Sequence, residues 1–143
     1  MSLPKPQVGL VIKYSFLWLH EAEAGRTEGS KDRPCAIVVV VLREGKKPIV
    51  RVLPITHTLP GDPASAMEIP PKTKANLGLD ADKSWVILDE ANDFVWPGTD
   101  LRPRLAGNWQ SSSYGMLPKA FMKLLKVKFL KRHQDRRTKT VRR

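Results

Sequence analysis

At 143 residues the chain has room for one domain with an appended helix or tail, since domains run about 100 to 200 residues; two full domains are not expected. Hydrophobic residues at 41% and charged residues at 27% match globular averages, which argues against wholesale disorder. The net charge of +11 suggests an anionic partner, yet it is unevenly spread: Lys119 to Arg143 holds eleven Lys or Arg against Asp135 alone, while residues 1–118 hold fourteen bases and thirteen acids.

Residues 8–19, VGLVIKYSFLWL, are β-branched and aromatic and predict a first strand. Residues 20–32 have no apolar period and carry two glycines, the pattern of a long exposed loop. RPCAIVVVVL, residues 33–42, begins with a proline and continues as an Ile/Val run, which predicts a central strand covered on both faces. REGKKP is then a turn, and IVRVLPIT, residues 49–56, a third strand. HTLPGDPASA is loop, EIP a short strand, KTKANLGLD one helical turn and SWVILDE a strand, with Trp18 and Trp85 in the core. NDFVWPGTDLRP, with two prolines, reads as an irregular turn. Short strands separated by turn signals predict a small barrel or sandwich.

The C-terminal pattern is different. Leu117, Phe121, Leu124, Leu125 and Phe129 recur at spacings of three and four behind Pro118, with Lys119, Lys123 and Lys126 on other faces. This predicts an amphipathic helix over about 117–131. Residues 1–131 would be the folded domain. The basic tail, 132–143, has Val141 as its one aliphatic residue and is expected to stay disordered until it meets something acidic.

The amino-terminal segment MSLPKPQVGL lacks the features of an export leader, which makes the cytoplasm the expected location. The longest apolar run, Cys35 to Leu42, falls well short of the ~18 residues of a membrane span, so no membrane partner is expected. A lone cysteine, Cys35, cannot form an intramolecular disulfide or a cysteine-based zinc site, and it reads as a small buried hydrophobe. There is no phosphate-binding loop, dinucleotide fingerprint, HExxH or GxSxG. His20, His57 and His133 are too dispersed to declare a metal site, and no cofactor or metal is expected.

A joint pattern remains. Gly9 opens the first strand; a loop with Gly25 and Glu28 ends in Lys31-Asp32-Arg33-Pro34; the third strand ends in Pro54-Ile55-Thr56. Leu77-Gly78-Leu79, SWVILDE and Tyr114-Gly115-Met116-Leu117 follow. From Gly9 to about Leu125, this order and spacing resembles the MazF/PemK family of toxin endoribonucleases from toxin–antitoxin pairs. The resemblance implies a mainly β fold with a C-terminal helix, an SH3-like small β-barrel. It further implies a homodimer that cuts single-stranded RNA without a metal and is silenced by a cognate antitoxin protein.

By the same resemblance Arg33 and Thr56 stand at the family's central catalytic positions. A planar guanidinium would stabilise the charge that builds on the phosphorane oxygens when the ribose 2′-hydroxyl attacks, and Thr56 would donate to the phosphate or orient that hydroxyl. His57 suits a proton donor to the leaving 5′-oxygen, provided the strand breaks there, because successive strand residues point to opposite faces. Otherwise His57 is a solvated loop residue that contacts RNA. Where PemK-type toxins often carry Arg-x-Asp-Gln on a later strand, this chain has Ile87, Asp89 and Glu90. The Arg is missing, Asp89 is kept as a further catalytic candidate, and an acid replaces the amide. Arg26, Lys31 and Arg102 are candidate RNA contacts. Trp96, beside Pro97-Gly98, would either stack on a base or plug the barrel end. The second reading is a non-catalytic SH3-like module whose basic tail holds RNA or an acidic protein.

Overall fold

A computed structural model describes residues 3–104 and 112–143. Its centre is a hairpin of two long strands, β2 (Arg33–Arg43) and β3 (Lys46–Thr56), joined by a turn at Glu44-Gly45. β1 (Leu10–Tyr14) pairs with the other edge of β2, and β7 (Ser113–Met116) pairs with β1. β3 is long enough to serve two neighbours beyond β2: Ile49–Val52 pairs with β6 (Glu90–Val95), and Ile55-Thr56 pairs with β5 (Trp85–Ile87). β4 (Ala66–Glu68) extends β5, and β8 (Lys139–Arg142) runs parallel to β6; the other pairings are antiparallel. Eight strands among the described residues therefore form one open sheet, flanked by α1 (Leu19–Glu23), α2 (Pro71–Asn76) and α3 (Lys119–Gln134).

The period-two alternation of the strands sorts their side chains into two cores. Val11, Ala36, Val38, Leu53 and Ile55 face α3, where Phe121, Met122, Leu125 and Phe129 cover them. Ile12, Tyr14, Cys35, Ile37, Val50 and Val52 face the opposite way and pack with Phe94, Trp96 and Leu101. Cys35 to Val38 are buried on both faces, as the Ile/Val run of β2 predicts, and each such aliphatic side chain contributes roughly 1.5 to 3 kcal/mol. The far end of the run departs from that expectation, with Val41 48% and Leu42 83% exposed. Leu124, expected on the packed face of α3, is instead 49% exposed, and Met122 takes the buried position.

Several expectations are corrected. The first strand ends at Tyr14, and Leu19–Glu23 within the expected strand and loop forms α1. Glu90–Val95, in large part assigned to an irregular turn, is β6. The tail expected to be disordered is ordered: α3 continues to Gln134, and Lys139–Arg142 pairs along β6. Hydrophobic burial does not drive that pairing. Backbone ladder bonds hold it, together with Arg143, whose guanidinium donates to the Ser15 carbonyl at 2.8 Å, Asn92 Oδ1 at 3.0 Å and the Thr27 carbonyl at 2.9 Å, and pairs with Asp100 at 3.0 Å. No described helix is long and apolar enough to cross a membrane.

Candidate functional site

The start of β2 and the end of β3 meet at one end of the central hairpin. Cys35 lies opposite Pro54, and continuing that register by two residues sets Arg33 across from Thr56. Arg33 and Thr56, 23 positions apart in the chain, both line the cleft at this end of the hairpin. Pro34 at the head of β2 suits this place, where the missing N–H costs little. β3 ends at Thr56, and residues 57 and 58 bend away. The break lets Thr56 and His57 line the same cleft, which the sequence alone allowed only if the strand stopped there.

The cleft has two lobes that share Lys31, Arg33, Thr56 and Thr58. The first, about 170 Å³, adds His57, Asp80 and Ser84. The second adds Trp18, Ser65, Ile87, Asp89 and Glu90.

Arg33 is half-buried, with its guanidinium carbon 5.1 Å from the centre of the Trp18 ring. Its Nε is buried without a hydrogen-bond partner, and among the described residues the guanidinium has no carboxylate ion pair. Burial pushes its pKa below the ordinary arginine value. Glu21 offsets part of that burial penalty through space, but a stacked, partly desolvated guanidinium with no direct ion pair still favours the arrival of an anion. Trp18, expected in the core, is half-buried and forms the platform for Arg33. Glu21 holds that platform: its Oε1 accepts from Trp18 N–H at 3.1 Å, and its Oε2 from Ser30 N–H and Arg26, each at 3.1 Å. Burial would raise the Glu21 pKa, but these bonds outweigh it and hold the carboxyl below its usual range. Gly29 closes the same loop, because a Cβ there would overlap the Phe16 carbonyl.

Thr56 Oγ1 accepts from Thr58 N–H at 3.2 Å, which leaves its own proton available to donate. His57 Nε2 lies 2.8 Å from Asp80 Oδ2, and the buried Lys74 ammonium lies 3.0 Å from Asp80 Oδ1. Lys74 and His57 together keep the Asp80 carboxyl below its ordinary pKa. His57, Asp80 and Asp82 bring possible ligand atoms within 4.8 Å of one another, but the Lys74 ammonium already occupies Asp80 and the Asp82 carbonyl.

The remaining candidates separate. Asp89 lines the second lobe, and Arg132 of α3 takes both its oxygens, Nε to Oδ1 at 2.8 Å and Nη2 to Oδ2 at 2.6 Å. Ile87, on the same stretch, is buried. Trp96 is 7% exposed and packs near Phe94, so it is corrected from a base-stacking candidate to core. Arg102 is engaged by the Thr99 carbonyl at 2.8 Å and by Asp32 at 3.6 Å, and Arg26 by Glu21. Lys31 is exposed at the shared floor of the cleft.

Sequence reasoning passed over Glu90. It is half-buried in the second lobe, with Oε1 accepting from Leu19 N–H at 2.7 Å. The only signal was the acid standing in the amide position of the PemK pattern. Comparison with known protein families, curated proteins and solved structures finds no match to this chain.

Proposed function

We propose that the protein is an endoribonuclease of the MazF/PemK kind, cleaving single-stranded RNA through the neighbouring ribose 2′-hydroxyl. The observation that carries this reading is the Arg33 guanidinium, stacked on Trp18, with its Nε unpartnered and no direct ion pair among the described residues, in an open cleft that Thr56 also lines. A phosphodiester supplies a direct anionic partner, and in the phosphorane transition state its equatorial oxygens carry more charge than in the ground state, so the fork binds the transition state more tightly. Thr56 donates its free proton to the same phosphate. His57, oriented by Asp80, gives a proton to the departing 5′-oxygen. Lys31 and the basic C-terminal segment draw the polyanion in.

The finer fold reading belongs to the same proposal: an SH3-like barrel, formed by curling the open sheet around the α3-covered core, in a homodimeric cytoplasmic toxin that an antitoxin covers. A non-catalytic RNA-binding module is the second reading, favoured by the commitment of Asp89 to Arg132 and by Ile87 in place of an arginine.

A panel of long single-stranded RNAs incubated with the protein tests the first reading. The expected result is discrete cuts in EDTA that leave a 2′,3′-cyclic phosphate and a 5′-hydroxyl. Binding of those RNAs without any cut would select the second reading.

A further inference from the structure

Arg33 and Thr56 belong to both lobes of the cleft, with His57 in one lobe and Glu90 in the other. In-line displacement at phosphorus places the attacking and departing oxygens on opposite sides of the phosphorus, so a base and an acid must approach from opposite directions. His57 is suited to the departing side. The second lobe holds two carboxylates, of which Asp89 is bound by Arg132 through both oxygens. Glu90 is not: Leu19 N–H engages Oε1, and among the described residues Oε2 has no partner. The Leu19 bond also fixes the carboxyl, because it ties the first residue of β6 to the first residue of α1.

We propose that Glu90 is the general base of this site, taking the proton from the ribose 2′-hydroxyl; the assignment rests on the endoribonuclease reading. As Glu90 takes the proton, the O2′–P bond forms. The P–O5′ bond then breaks with its electron pair on O5′, and the His57 imidazolium protonates that oxygen. The products are a 2′,3′-cyclic phosphate and a 5′-hydroxyl, and solvent exchange returns the proton from Glu90 to His57.

The surroundings of Glu90 fit a base. Burial raises its pKa above the ordinary glutamate range, opposed by the Leu19 N–H bond and His20 and reinforced by Asp89 and Glu21. Arg33 and Lys31 are the cations lining the same lobe. A carboxylate with a raised pKa accepts a proton more readily than an exposed one, at a pH where it is still ionised.

The test is single-turnover cleavage of single-stranded RNA by the full chain. Glu90→Gln keeps an oxygen for the Leu19 N–H but cannot take a proton, so the rate should fall by about 10² to 10⁴-fold with loss of the acid limb of the pH profile. Glu90→Asp should keep that limb at an intermediate rate. The two roles separate on RNA carrying a bridging 5′-sulfur at the cut, whose leaving group needs no proton: His57→Ala should regain activity there, and Glu90→Gln should stay slow. If Glu90→Gln cuts within threefold of the unaltered protein, or is rescued by the sulfur substrate, the base is not Glu90 and the endoribonuclease reading stands without it. If the unaltered protein cuts no RNA, both fall together.

Discussion

Arg132 grips Asp89 with two parallel hydrogen bonds, 2.8 Å and 2.6 Å, and extends the same Nη2 to Asp62 at 3.1 Å. The grip joins the last turn of α3 to the bend that leads into β6, one residue before Glu90, so a helix outside the cleft sets the position of a residue inside it. The two carboxylates hold the Arg132 pKa above its ordinary value, and the bidentate fork fixes direction as well as distance.

Arg132→Ala should therefore destabilise the fold by about 1.5 to 3 kcal/mol, the range for hydrogen bonds to charged groups. Arg132→Lys should recover only part of the loss, because an ammonium cannot reproduce the fork. Denaturant unfolding of the three proteins measures both, and equal midpoints would show that the clasp carries no stability.

Arg33→Ala should reduce RNA cleavage by about 10² to 10³-fold, the loss on removing one preorganised transition-state donor. The fold should survive, because Arg33 is only half-buried and forms no ion pair among the described residues. Arg33→Lys should restore little activity, and Thr56→Val should also slow the reaction. Retained cleavage by Arg33→Ala, measured beside its circular dichroism spectrum, would remove the catalytic role.

Removing residues 135–143 should lower the thermal midpoint. The deletion takes away β8 and leaves Asn92 and Asp100 without Arg143, whose side chain is 4% exposed. Losing about 2 to 4 kcal/mol corresponds to a fall of roughly 6 to 12 °C in a domain of this size. Arg143→Ala alone should reproduce much of it. A midpoint within a degree of the full chain would return the segment to the status of a tail.

Glu90 should make stability depend on pH. Its raised carboxyl pKa means that the folded chain holds this proton more tightly than the unfolded chain. That contribution is fully present below the ordinary glutamate value of ~4.3 and is lost as pH rises through the folded value. Glu90→Gln, which mimics the protonated side chain, should thus unfold a few degrees higher than the unaltered protein at pH 7. The difference should vanish near pH 4. A lower midpoint for Glu90→Gln at pH 7 would contradict the burial argument.

The sequence by itself determined the long hairpin and the final helix. The stretch from Cys35 to Val38 is buried between two layers, and the spacing of Phe121, Leu125 and Phe129 suits only a helix with one packed face. Arg33 and Thr56 are singled out by the family resemblance and not by their local pattern, which reads equally as a strand entry and a strand end. Tertiary structure decided what has no local period. Glu90–Val95 carries three polar residues, and it is a strand because β3 and β8 take its backbone hydrogen bonds. Lys139–Arg142 has one apolar side chain and is ordered by Arg143, whose partners lie more than 40 positions away. The different bonding of Asp89 and Glu90, adjacent and chemically alike, depends on which of them α3 reaches. Periodicity records which face of an element is buried; long-range hydrogen bonds and charge pairing leave no such record in the order of residues.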